Sequence, residues 1–397
     1  MRTCRIWSLF LVVCMLLAVL AGCAVKGEDE TEPATTAAPA ATTAEPVVTT
    51  EEPTTEEPPL VVDGYVAMLN CQQYVKTVGR SRFYRNAFIL DWTASGIEFE
   101  FTGSGDLKVD IEKEGSDRGA VLIAEVDGET KTLTLTNSGV QSYPVATNLE
   151  EGTHRVLIRR RNMVEDESDV GIMVGIKGIR MTGSLLKKPA ANKYTVAFLG
   201  DSILCGHGLP NDDGLSTYAM DLCKREGFDY DVCCVSGFGV YCSSTRHGYT
   251  ENTLTKYYPY YNYYRSTTLR YSPEQKANLA IVNLNTNDNN FGSESDEAQY
   301  KEALKTLISE IREIHGANVP IIWIVGMMIS PDRPVNQWLN AVFAELGGES
   351  AGLYTITVAT NTSGLKNHPE ASAHAAVSQA LSDFIRAKNL LDLPAQQ

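Results

Sequence analysis

From Val61 to about Leu186 the chain alternates between apolar and polar positions in short runs. Gly96-Ile97-Glu98-Phe99-Glu100-Phe101 is strictly two-periodic, the pattern of a half-buried strand, and Gly103-Ser104-Gly105 turns the chain after it. Ala120–Val126 and Thr130–Thr136 flank Asp127-Gly128, a strong hairpin signal; His154–Arg161 and Val170–Met181 are further strand-like runs. With little helical periodicity, this half predicts an antiparallel β-sandwich. After Lys187-Lys188-Pro189 the pattern changes. Apolar runs at Thr195–Leu199, Asp231–Val235, Leu279–Leu284, Ile321–Val325 and Leu353–Val358 read as buried parallel strands. Helical stretches at Thr217–Glu226, Glu297–His315, Val335–Leu346 and Glu370–Ala387 lie between and after them. Strand and helix in alternation predict an α/β three-layer domain, with sites beyond the carboxyl ends of its parallel strands.

Four segments follow: 1–22, 23–60, 61–187 and 188–397. The first carries Arg2 and Arg5 before the apolar run Ile6–Leu20, too short for a comfortable span and placed as in a signal peptide. It ends in Leu20-Ala21-Gly22-Cys23, which resembles a bacterial lipobox; the resemblance implies lipidation of Cys23 and a membrane-anchored, extracytoplasmic location at the cell surface. Two or three acyl chains anchor stably where one does not. From Ala24 to Pro59, Thr, Glu, Pro and Ala dominate, and such a stretch cannot bury enough surface to offset its ordering entropy. It predicts an extended, disordered spacer.

The net charge of -15 argues against nucleic acid as a partner, because phosphate binding needs a basic surface. Of the cysteines, Cys71, Cys205, Cys223, Cys233, Cys234 and Cys242 remain in the body, with no CxxC pair. Buried free thiols are preferred over disulfides, and no Cys/His set falls at zinc spacing.

Chemistry-bearing residues gather at the strand ends. The first α/β strand ends in Gly200-Asp201-Ser202, where a serine at a strand-to-helix turn is placed as an exposed nucleophile beside free backbone N–H groups. The second ends in Ser236-Gly237-Phe238-Gly239-Val240-Tyr241, and the third in Asn285-Thr286-Asn287-Asp288. His368-Pro369 precedes the last helix. No GxSxG elbow occurs.

Ser, Gly, Asn and His in this order resemble the SGNH (GDSL-type) hydrolases over about residues 194–390. Val78-Gly79-Arg80, Phe88-Ile89-Leu90-Asp91-Trp92, Ser95–Phe99, Gly152-Thr153-His154 and the Ser236–Tyr241 block extend the similarity. Together they resemble carbohydrate esterase family 2, in which a jelly-roll domain precedes a flavodoxin-like SGNH domain. The resemblance implies removal of acetyl groups from polysaccharides of xylan or mannan type, often at the primary 6-hydroxyl. It implies Ser202 as nucleophile and His368 as base. The oxyanion hole would comprise the Ser202 N–H, the Gly239 N–H and the Asn287 amide, with Gly237 as runner-up for the glycine. Such chemistry implies no metal or organic cofactor, an acetylated carbohydrate as partner, and a monomer.

Two departures stand out. Lys366 and Leu365 occupy the positions where the family usually has an Asp before the catalytic His, which leaves a backbone carbonyl, Asp332 or Glu370 to orient the ring. Asn285 stands where the third block normally has Gly, and either narrows the acyl pocket or, the preferred reading, points elsewhere. The tyrosine run Tyr257–Tyr264 reads either as a sugar-stacking platform or as core packing. Two other functions stay open: a catalytically inactive carbohydrate-binding surface lipoprotein, and an SGNH acyl hydrolase acting on lipid or acetylated wall polymer.

Overall fold

The computed structural model describes residues 58–115, 119–162, 173–245, 248–261 and 269–394. The signal segment, Cys23, most of the spacer, Val170–Gly171–Ile172 and the end of the tyrosine run lie outside them. No helix among the described residues is long and apolar enough to cross a membrane.

The N-terminal lobe is antiparallel throughout. Its two longest strands, Gly96–Glu114 and Gly139–Arg160, pair over most of their length, and Met173–Leu185 joins the other side of Gly96–Glu114. Register breaks between Gly103 and Lys108 interrupt the long ladder, and residues from both sides of the break (Ile97, Phe99 and Phe101; Leu107, Val109 and Ile111) bury into one core. Breaks of this kind bend a strand and raise its twist. Asp127-Gly128 forms the tight connection between Ala120–Val126 and Glu129–Leu135, with both residues at positive φ.

The second lobe carries a parallel sheet of five strands: Thr195–Gly200, Asp229–Cys234, Leu279–Asn283, Ile321–Met327 and Leu353–Thr360. Numbered in chain order, they lie 2-1-3-4-5. The first strand is therefore interior and buried at every position, and the chain leaves it at a point where the strand order switches sides. Helices Glu297–His315 and Pro334–Glu345 pack on one face of the sheet, and Tyr218–Glu226 and Ala371–Ala387 on the other. Coverage of both faces explains why the strands read as unbroken apolar runs.

Both lobes fall within one compact unit, Thr55–Gln397. Arg80 of the first lobe is buried at 1% exposure within the second. Its guanidinium makes a two-pronged pair with Asp231 at 3.0 and 3.2 Å, donates to the Tyr258 carbonyl at 2.9 Å, and lies 3.8 Å over the Tyr271 ring. Trp92 of the first lobe belongs to the apolar core on one face of the parallel sheet. The six described cysteines are free and buried.

Candidate active site

Ser202 sits directly beyond the first parallel strand, in a tight turn where the Asp201 carboxylate accepts from the Ile203 N–H at 3.0 Å. His368 precedes the final helix, 166 positions away in sequence. Its Nε2 lies 2.8 Å from Ser202 Oγ, and its Nδ1 lies 2.9 Å from the Lys366 carbonyl. The nucleophile and base are thus in hydrogen-bond contact, and a backbone carbonyl fixes the tautomer. Lys366 and Asn367 both have positive φ, at 55° and 58°, and this turn aims the Lys366 carbonyl back at the ring.

Neither candidate acid touches that ring. Glu370 accepts from Ser372 at 2.9 Å and lies 3.5 Å from the Asn361 amide. Asp332 is exposed beside Ser330 at the start of another helix. Partial burial lowers the His368 pKa below its usual 6.5, with the Lys366 cation acting the same way and its carbonyl and Asp212 opposing.

Ser202 and His368 open onto a cavity of about 400 Å³, also lined by Gly237, Thr286, Asn287 and Met328. The assignment of Gly239 to the oxyanion hole is corrected here. Its N–H donates to Ser243 Oγ at 3.2 Å, and a Cβ there would come within 2.2 Å of the Cys242 carbonyl and 2.6 Å of the Asp288 carboxylate. Gly237, at φ 85°, lines the cavity instead. Among the described residues neither its N–H nor that of Ser202 has a hydrogen-bond partner. A pair of free N–H groups beside the nucleophile is the arrangement that receives an oxyanion.

Asn287 also faces the cavity, from a short helix, Thr286–Phe291, that periodicity did not reveal. Its amide donates to the Phe238 carbonyl at 2.8 Å and to Asp201 at 3.2 Å. An oxyanion would draw on the longer of these two bonds. Asn287→Ala is expected to lower kcat by about 10²-fold or more, as loss of one such donor does, with KM little altered. Steady-state kinetics on an acetyl ester measure it, and an unchanged kcat would remove Asn287 from the hole.

Two buried acids brace the site, and the motif reading gave neither a role. Asp288 accepts from the N–H groups of Val240, Tyr241 and Cys242 at 2.8–2.9 Å, so one carboxylate holds the loop that follows Gly237. Asp201 holds Asn287, and burial pushes its pKa up to about 7, with nearby Asp288 adding to the rise. Both acids adjoin motif residues, but only tertiary contacts show what they accept from.

Asn285 points away from the cavity. Its backbone is left-handed (φ 89°), which accounts for the glycine usual at this place, and its side chain bonds Asn336 at 3.0 Å and Tyr300 at 2.6 Å. In the described part of the tyrosine run, Tyr257 and Tyr258 are packing, whereas Tyr260 is partly exposed. Tyr258 is fully buried with its hydroxyl 2.8 Å from His315 Nε2, and Tyr257 belongs to the same core. Trp338 packs on Tyr300, and Trp323 is interior to its strand.

Two families match the chain in succession. The carbohydrate esterase 2 N-terminal family matches residues 77–189, and the GDSL-like lipase/acylhydrolase family matches residues 198–386. A curated relative, the cellulase/esterase CelE of Acetivibrio thermocellus, is 25% identical over 59% of this chain; the matched part spans 30% of that relative's length. The acetyl xylan esterase Est2A of Butyrivibrio proteoclasticus shares the fold at a TM-score of 0.71 and 20% identity, over 83% of this chain and 99% of that one. A family two carbohydrate esterase from Clostridium thermocellum, solved with cellohexaose, gives 0.69 and 22%, over 80% and 100%. With both matches in this order and a Ser–His pair at the sheet's carboxyl edge, the chain is carbohydrate esterase family 2-like, an SGNH/GDSL-type hydrolase domain behind its N-terminal jelly-roll domain.

Proposed function

We propose that the protein is a serine esterase that removes O-acetyl groups from xylan- or mannan-type polysaccharides. The observation that carries this reading is the 2.8 Å contact between Ser202 Oγ and His368 Nε2, beside N–H groups that have no partner among the described residues, at a cavity that both side chains line. The names of the relatives, a cellulase/esterase and an acetyl xylan esterase, support carbohydrate as the substrate class. The lipobox at Leu20–Cys23 supports anchoring at a bacterial cell surface, with the acidic spacer giving the catalytic body reach.

In the reaction, Ser202 Oγ attacks the ester carbonyl as His368 Nε2 takes its proton. The Ser202 and Gly237 N–H groups and the Asn287 amide stabilise the oxyanion. His368 then returns the proton to the departing sugar hydroxyl. Water, deprotonated by the same imidazole, releases acetate from Ser202.

The full chain is expected to hydrolyse 4-nitrophenyl acetate, to favour acetate over butyrate, and to release acetate from acetylated xylan or mannan. Hydrolysis of long-chain esters in preference would favour a lipid substrate instead. Because His368 acts as a neutral base and its pKa is depressed, the acid limb of kcat/KM is expected below pH 6.5. Activity is thus retained as pH falls to 6.5 and lost below it. A limb that disappears in Asp201→Asn would belong to the buried acid rather than the imidazole.

A further inference from the structure

A dyad oriented by a peptide carbonyl has lost the charge that would hold the imidazole and its turn, and the structure puts a carboxylate nearby in another way. The turn after Ser202 and the turn before His368 meet directly. The Leu365 N–H donates to the Gly208 carbonyl at 3.1 Å, and a Cβ on Gly208 would fall within 2.4 Å of His368 Cβ. Where they meet stands Asp212, itself left-handed at φ 47°. Its Oδ1 accepts from the Gly208 N–H at 3.1 Å, its Oδ2 lies 3.2 Å from Lys366 Nζ, and its Oδ1 lies 3.4 Å from His207 Nδ1. Two of these neighbours, Lys366 and His207, flank the base. Lys366 supplies the carbonyl bound to His368 Nδ1, and the His207 ring stands edge-on to the His368 ring with centroids 4.5 Å apart.

We propose that Asp212 is a positioning residue of the dyad: by tying Lys366 to the turn after Ser202, where its carboxylate also stands beside His207, it fixes the carbonyl that holds His368 in line with the nucleophile. This rests on the esterase reading above. Lys366, with two soft backbone angles in a conformation disfavoured for its residue type, needs an external anchor, and its ammonium on Asp212 provides one. A small misplacement of a catalytic group is enough to slow a reaction by up to about 10²-fold. Asp212 also contributes charge. The charged and titratable groups acting on or beside His368 are Lys366, Asp212, His207 and His374; Asp212 favours the protonated ring and Lys366 disfavours it.

The test compares the full chain with Asp212→Asn, Asp212→Glu and Lys366→Met on 4-nitrophenyl acetate across pH, alongside an NMR titration of the His368 ring. Asp212→Asn keeps an acceptor for Gly208 and removes the charge. It is expected to lower kcat about tenfold with KM unchanged and to move the acid limb to lower pH. Asp212→Glu is expected to recover part of kcat and return the limb. Lys366→Met is expected to lower kcat as well but to move the limb to higher pH. Opposite limb shifts are a result that general loosening of the loops does not produce. If a variant is inactive, the NMR titration still reads the direction of the His368 shift. An active wild-type chain with kcat and both limbs unmoved, or with both limbs moving the same way, overturns the role of Asp212. A wild-type chain without esterase activity overturns the underlying reading.

Discussion

Ser202→Ala is expected to lower kcat on acetyl esters by at least about 10⁴-fold while leaving the fold intact. The side chain is small and, among the described residues, its hydroxyl bonds only the catalytic imidazole, so truncation removes the nucleophile and little else. His368→Ala should cost a comparable amount, and the double variant no more than the worse single one, because nucleophile and base act as a unit. The residue of catalysis left behind would come from the Ser202 and Gly237 N–H groups and the Asn287 amide. Burst and steady-state kinetics with 4-nitrophenyl acetate measure all three. If Ser202→Ala hydrolyses as fast as the wild type, the esterase reading fails and the catalytically inactive, carbohydrate-binding alternative takes its place.

The second large effect is on stability, at the junction of the lobes. Arg80→Ala and Asp231→Ala are each expected to destabilise the protein by about 3–5 kcal/mol. The cause is the charge left behind. Removing Arg80 strands a carboxylate that is 4% exposed, and removing Asp231 strands a guanidinium that is 1% exposed; neither has water to turn to. Replacing both together, Arg80→Met with Asp231→Leu, is expected to cost much less than the two single losses combined, since no unpaired charge remains. Denaturant midpoints for the wild type, the two single variants and the double variant check this. Additive losses would mean that the pair contributes through packing alone. Lys76, paired with Asp229 at 2.8 Å, makes a second and more accessible link across the same junction. Its loss should matter less, as partial solvation screens the charge.

The helix Glu297–His315 has the bounds its periodicity predicts, and Ala371–Ala387 differs by one position at its start. Long amphipathic segments announce themselves because one face must be apolar over many turns. The parallel strands were legible in the same way, with four of five starts matching and ends off by one or two residues, since hydrogen bonding rather than hydropathy ends a strand. Thr286–Phe291 was not legible. It has six residues, a polar sequence and no apolar face to repeat, yet it aims Asn287 at the cavity. The sequence reading put Gly239 ahead of Gly237, which lies two residues away in the same loop, and had no means to reverse that order. What separates them is a hydrogen bond to Ser243, a contact with no sequence signature.

The succession of strands and helices along the chain was legible in its own pattern, because periodicity is a local property. The resemblance carried by the Ser, Gly, Asn and His blocks pointed to Ser202 and His368; whether an acid or a carbonyl orients that base stayed open. The tertiary structure alone decided which glycine presents its N–H, that the Lys366 carbonyl faces Nδ1, and that Asp201, Asp212 and Asp288 brace the site. It also decided that Arg80 is driven into the neighbouring lobe to meet Asp231. Each of these depends on which groups remain for a buried donor or acceptor once water is excluded, and that is settled by distances between segments far apart in the chain.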